Sequence, residues 1–147
     1  MTSPGRLEIV KRTPTVILDA AHNPHGAQSL VAALQDEFGF DRLVFVLGMF
    51  ADKDYRGFLE LIEPLADHLI CTQSSSPRAL PAVELAAAAV QAGFEPVEVA
   101  PKLIDAIDRA VAIADEVAAD ESSAGLVICG SIVTIAEARA LLGRHSA

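Results

Sequence analysis

Short apolar runs alternate with longer stretches in which apolar residues recur every three or four positions. Leu7 to Val10 and Thr15 to Leu18 read as two short strands; the four residues Lys11-Arg12-Thr13-Pro14 between them are too few for a crossover, so the pair is expected to be antiparallel. Asn23-Pro24 supplies a capping side chain and a proline for a helix start. Ala27, Leu30, Val31, Leu34 and Phe38 then share one face, and Gly39 ends the helix. Leu43 to Leu47 is continuously apolar, the pattern of a strand covered on both faces. A helix over Tyr55 to Leu65 follows, then a strand over His68 to Thr72, an alanine-rich helix over Pro81 to Ala92, and a short strand over Pro96 to Val99. Pro101 opens a longer helix with Leu103, Ile104, Ile107, Val111 and Ala114 inward; Leu126 to Cys129 is the last strand and Ile132 to Leu142 the last helix.

That order, β-β-α-β-α-β-α-β-α-β-α, predicts an α/β fold. The expected architecture is a Rossmann-like three-layer sandwich: a mainly parallel six-stranded sheet with one antiparallel N-terminal strand and helices on both faces. Residues 1–147 read as one domain, with the first few residues resembling the cut end of a linker. A hydrophobic fraction of 52% excludes a disordered tail. A net charge of −9 argues against nucleic-acid binding, which needs clustered Lys and Arg. No apolar run reaches the ~18 residues of a membrane helix, and MTSPGRLEIVKR lacks the apolar stretch of a signal peptide, so the expected compartment is the cytoplasm. Cys71 and Cys129 each lie inside an apolar run and read as reduced, buried thiols; no metal site is expected from them.

In open α/β sheets ligands bind outside the carboxyl ends of the strands, which selects four loops. In Asp19-Ala20-Ala21-His22-Asn23-Pro24-His25-Gly26 the carboxylate of Asp19 either caps the turn or accepts hydrogen bonds from a ribose diol. His22 is either a surface residue or an imidazole beside a helix N-terminus, where anions are favoured. His22, His25 and Asp19 do not make a metal site by themselves, for want of a third ligand at a fixed position. Gly48 to Asp54 carries Asp52-Lys53-Asp54, either a solvated turn or a lysine held between two carboxylates, able to face phosphate or to orient its loop. Ser76-Pro77-Arg78 offers a guanidinium that is either an ordinary surface group or a fork for a carboxylate. Gly130-Ser131 allows close backbone approach at a strand-to-helix turn. The chain contains no GxxxxGK[ST], GxGxxG or GxSxG motif, so it has neither familiar phosphate cradle nor a nucleophile elbow.

Pro4-Gly5-Arg6-Leu7-Glu8, Asp19-Ala20-Ala21-His22-Asn23-Pro24, Gly48 followed by Asp52-Lys53-Asp54, Ser76-Pro77-Arg78-Ala79, and Gly130-Ser131 followed by Glu137-Ala138-Arg139 occur in that order. Together they make the chain resemble the C-terminal domain of folylpolyglutamate synthase/dihydrofolate synthase, within the Mur ligase superfamily. The likeness covers nearly the whole chain. Two positions depart from the family's usual pattern: Ala20 stands where glycine normally follows the aspartate, and Ala136 where glycine often precedes Glu-Ala-Arg. Both changes are small for small.

The resemblance implies an ATP-dependent amide ligase that adds L-glutamate to dihydropteroate or folylpolyglutamate through an acyl phosphate. It implies that Arg6 approaches the phosphates of ATP, Asp19 its ribose, and His22 the phosphates or the acyl phosphate as the catalytic group. Arg78 and Ser131 would help place glutamate, with Lys53 and Asp54 as a further loop or phosphate contact. The P-loop ATPase domain, with the magnesium ligands and most of the folate pocket, is expected to lie N-terminal to these residues and to be the partner, leaving the chain inactive alone. The alternatives are a peptidoglycan Mur ligase domain and a nucleotide-binding module without catalysis.

Overall fold

The computed structural model describes residues 5–145. The N-terminal hairpin forms, but later in the chain than its apolar run. β1 (Glu8–Arg12) pairs antiparallel with β2 (Thr15–Leu18) across the two-residue turn Thr13-Pro14. Leu7, expected to open the strand, is instead buried in a turn at φ 43°. Lys11 and Arg12, expected in the connection, extend the strand, because β1 lies at the sheet edge, where one neighbour and water satisfy the backbone and exposed polar side chains cost little.

The remaining elements follow the expected alternation: α1 (Pro24–Glu37), β3 (Arg42–Leu47), α2 (Tyr55–Ile62) with a short 3₁₀ turn (Glu63–Leu65), β4 (His68–Cys71), α3 (Ala82–Gln91), β5 (Val97–Val99), α4 (Leu103–Ala119), β6 (Ala124–Cys129) and α5 (Ile132–His145). Four boundaries differ from expectation beyond a residue: α2 ends at Ile62, its last expected turn tightening to 3₁₀; α4 starts after Pro101-Lys102; β6 starts at Ala124; and α5 continues past Leu142. Local chemistry sets the starts of α1 and α2. Asn23 Oδ1 accepts the Gly26 N–H at 2.7 Å, and Asp54 Oδ1 accepts the Gly57 N–H at 3.0 Å, each satisfying a donor the helix cannot pair internally.

The strand order is β1-β2-β6-β3-β4-β5, with every pair parallel except β1–β2. The last strand is thus inserted between the second and third. Alternation along the strands divides the core in two. Ile17, Phe45, Leu47, Leu69, Val127 and Cys129 pack on the side holding Leu30, Leu34, Phe58, Leu59 and Leu85 of α1, α2 and α3. Val16, Leu18, Val44, Val46, Ile70, Leu126 and Ile128 face Leu103, Ile107, Ile113, Ile135 and Leu142 of α4 and α5. Helices therefore cover both faces, and the fold is the expected three-layer α/β sandwich. The chains leaving β2 and β6, which are neighbours, depart to opposite faces. That divergence opens a crevice at their carboxyl ends.

Candidate functional site

The loop from β2 into α1 is held from below by its own aspartate. Asp19 is 9% exposed, and its two carboxylate oxygens accept the Leu7 N–H at 3.1 Å and the Ala21 N–H at 2.8 Å. Burial pushes its carboxyl above the ordinary 3.8, opposed by those two hydrogen bonds and by the charge of Arg6. The Ala20 N–H donates to Gly5 O at 2.7 Å, so segment 5–8 lies against this loop. His22 Nδ1 lies 3.0 Å from Ala20 O. A carbonyl only accepts, so Nδ1 carries the proton there, and in the neutral ring Nε2 is the acceptor.

These residues line a cavity of about 650 Å³ that holds Arg6, Asp19 and His22 and runs along α1 from His25 to Glu37. Arg6 is exposed and His22 half-buried. An exposed guanidinium, an imidazole and a helix N-terminus converging on one cavity favour an anionic ligand. Three of the sequence-selected residues are thus brought together.

Arg78, Lys53 and Asp54 lie in a second pair of loops, after β4 and β3. The Ala51 N–H donates to Arg78 O at 2.9 Å and the Leu80 N–H to Met49 O at 2.8 Å, which joins the two loops by main chain. Arg78 sits over the Phe50 ring and pairs with Asp52. The expected lysine held between two carboxylates is not formed in that sense: Asp52 takes Arg78 and Asp54 takes the first turn of α2.

Ser131 is placed differently from its expected role beside a substrate. It is 1% exposed; its hydroxyl donates to Thr134 Oγ1 at 2.8 Å and accepts the Thr134 N–H at 3.0 Å, which makes it the cap of α5. Thr134 in turn donates to Gly48 O at 3.1 Å. Gly130, at φ 117°, lies so near the β3 loop that a Cβ there would stand 2.3 Å from Gly48 O. The Gly130 N–H donates to Ala21 O at 3.0 Å. The Gly-Ser pair therefore serves a close approach of backbone to backbone, tying the β2, β6 and β3 loops together.

Sequence reasoning gave no separate role to Glu8, Phe50, Asp52, Thr134, Glu137 or Arg139, although several stand inside the quoted motifs. Arg139 donates to both Glu8 oxygens, at 2.7 and 3.1 Å, and Glu8 Oε1 also accepts the Gly5 N–H at 3.0 Å. Arg139 holds the Glu8 carboxyl below its ordinary value. Glu137 accepts the Ser75 N–H at 3.1 Å and the Ser75 hydroxyl. Motif membership was the available signal for Glu8, Glu137 and Arg139. Among the described residues no group of three or more His, Cys, Asp or Glu could hold a metal ion, and no helix is long and apolar enough to cross a membrane.

The chain is similar to dihydrofolate synthase/folylpolyglutamate synthase of Mycobacterium tuberculosis, with 47% identity over 152 residues covering 98% of this chain and 31% of the relative. The bifunctional synthase of Escherichia coli is 33% identical over 135 residues, covering 90% of the chain and 29% of the relative. A crystal structure of Mycobacterium tuberculosis folylpolyglutamate synthase complexed with ADP and AMPPCP superposes with a TM-score of 0.92 at 48% identity, covering 98% of this chain and 33% of that one. The chain spans about a third of the length of these relatives. The family model described as Mur ligase, glutamate ligase domain, matches residues 5–131, and the chain belongs to that family.

Proposed function

We propose that this chain is the C-terminal, amino-acid-adding domain of an ATP-dependent ligase that joins L-glutamate to dihydropteroate or folylpolyglutamate. The acceptor's carboxylate takes the γ-phosphoryl group of ATP, and the glutamate amine displaces phosphate from the acyl phosphate to form the amide. The observation that carries this reading is the cavity in which Arg6, Asp19, His22 and the N-terminus of α1 converge. The Arg6 guanidinium and the helix N-terminus suit phosphates, and the volume of about 650 Å³ falls in the range of small-molecule sites. The relative of known structure is described as complexed with ADP and AMPPCP.

In this reading Arg6 and the α1 N-terminus stabilise phosphate charge, and His22, with its proton on Nδ1, presents Nε2 as an acceptor or, once protonated, as a donor. Asp19 meets the ribose with whatever lone pairs its two main-chain donors leave. Ser131 is assigned to shaping the Gly130 turn. Arg78 presents a preset guanidinium to a carboxylate of glutamate, while Lys53 on the adjoining loop faces phosphate when the domains close. Phosphoryl transfer depends mainly on charge and positioning, so dividing these groups between two domains makes closure a condition of turnover. Magnesium would accompany ATP, with its ligands from the ATPase domain, and the compartment would be the cytoplasm.

The test is the intact ligase assayed with ATP, magnesium, glutamate and either dihydropteroate or a reduced folate. Glutamate-dependent release of ADP and phosphate in step with amide formation supports the reading. ATP-dependent addition of glutamate to neither acceptor contradicts it.

A further inference from the structure

Helix α5 reaches both halves of the candidate site through two side chains that are close in sequence. Glu137 and Arg139 are two positions apart, so they project about 200° apart around the helix axis and cannot serve the same neighbour. Arg139 grips Glu8 through two nitrogens, at 2.7 and 3.1 Å. Glu8 in turn accepts the Gly5 N–H at 3.0 Å. Between them lie Gly5 at φ 80° and Leu7 at φ 43°, and a leucine adopts that conformation only where surrounding contacts impose it. The contacts are on hand: Leu7 N–H to Asp19, Ala20 N–H to Gly5 O, and the side chain of Ile135 of α5 against Gly5. Held in this way, the wound segment throws Arg6 outward into the cavity.

On its other side α5 sets the loop that bears Arg78. Glu137 takes both the N–H and the hydroxyl of Ser75. The next residues are folded on themselves: the Ser76 N–H donates to Ser74 Oγ, the Arg78 N–H to Ser76 Oγ at 3.1 Å, and the Ala79 N–H to Ser76 O at 3.0 Å. Fixing Ser75 therefore fixes where this turn, and Arg78 at its end, stands.

We infer that Glu137 and Arg139 are positioning residues with separate clients: Arg139 places Arg6 on the nucleotide side through Glu8, and Glu137 places Arg78 on the amino-acid side through Ser75. The inference rests on the functional reading above. Both pairs are half-exposed, and such pairs add little to global stability, so their effect falls on geometry. Displacement of a binding group by about 1 Å costs up to 100-fold in rate.

The test uses the intact ligase and steady-state kinetics with ATP and glutamate varied in turn. Arg139→Met is expected to raise the KM for ATP about 10-fold or more with little change for glutamate. Glu137→Ala is expected to do the reverse, and Arg139→Lys and Glu137→Gln to recover part of each loss. Ala140→Gly, on an exposed position of the same helix, lowers helix stability without touching either loop; it is expected to lower Tm and leave both KM values in place. If Arg139→Met and Glu137→Ala shift the same substrate, or merely reproduce Ala140→Gly, the division of roles is overturned. Absence of ATP-dependent ligation by the unsubstituted enzyme overturns the functional reading itself, and is seen before any variant is made.

Discussion

Arg78 lies over the Phe50 ring, its guanidinium carbon 4.2 Å from the centroid, and donates through Nη2 to both oxygens of Asp52 at 2.9 and 3.1 Å. One face of the guanidinium is covered by the ring, and the hydrogen bonds to its side chain from the described residues use Nη2 alone. The N–H groups of Nη1 and Nε, which lie on different edges of the fork, make no hydrogen bond among the described residues and are the donors left to meet a carboxylate. Both partners are more than half exposed, at 54% and 59%, so the pair orients the arginine more than it stabilises the fold.

Arg78→Ala in the intact ligase is therefore expected to raise the KM for glutamate by about 30- to 150-fold, the loss of one charge-assisted pair, with the KM for ATP little changed. Asp52→Ala leaves the fork but frees it to wander, and should raise the same KM by a smaller factor. Steady-state kinetics check both; an unchanged glutamate KM in Arg78→Ala returns this residue to an ordinary surface arginine.

Asp19 supports two main-chain donors from different segments. Asp19→Ala leaves the Leu7 and Ala21 N–H groups unpaired in a buried place, and should cost about 1–3 kcal/mol of stability while raising the KM for ATP and sparing that for glutamate. Because burial raises the Asp19 carboxyl in the fold, the folded chain binds this proton more tightly than the unfolded chain. Its contribution to stability is thus greatest in acid, and declines as pH rises from the ordinary value of 3.8 through the folded value. Carboxyl-carbon NMR titration of the folded chain is the check, and an Asp19 midpoint below 3.8 would contradict the direction.

Gly130→Ala places a methyl 2.3 Å from Gly48 O and forces an L side chain to φ 117°. The two loops must separate, and the expected loss is roughly 2–4 kcal/mol. Denaturant unfolding measures it. A loss below about 0.5 kcal/mol, the size of an ordinary surface change, would show that this junction is not under constraint.

The sequence made the order of elements and the loops at the strand ends legible, because periodicity records which faces are buried. It did not disclose that β6 lies between β2 and β3, since any of several strand orders buries the same residues. It also put β1 early: apolar Leu7 resembles a strand residue, yet its burial comes from a turn closed by Asp19. Asp19 and His22 are readable as neighbours because they share one loop at a strand end, whereas Arg6 joins them in the sequence only through the family resemblance. Glu8 and Arg139 are 131 positions apart, and no local pattern pairs them. The role of Ser131 beside glutamate comes from the family resemblance alone; the Ser131–Thr134 cap gives the same residue an inward task that the Gly-Ser pair does not announce.

Burial pushes the Cys71 thiol up to about 12 and the Cys129 thiol well above its ordinary value. The folded chain keeps these protons where an unfolded chain would lose them, so stability should fall as pH rises above 9, through the window up to about 12 for Cys71. At neutral pH a thiol reagent should label neither cysteine at a rate above that of global unfolding. Rapid labelling of the folded protein at either position would contradict their burial.

The central claim, that this domain adds glutamate only in company with an ATPase domain, is tested most directly by assaying the chain alone and joined to that domain. Both are supplied with ATP, magnesium, labelled glutamate and dihydropteroate or a reduced folate. The account predicts labelled amide and equal ADP release from the joined protein, and neither from the isolated chain, whose sequence has no P-loop motif to cradle the triphosphate. Turnover by the isolated chain, or a folded joined protein that consumes no ATP in response to glutamate, would contradict it.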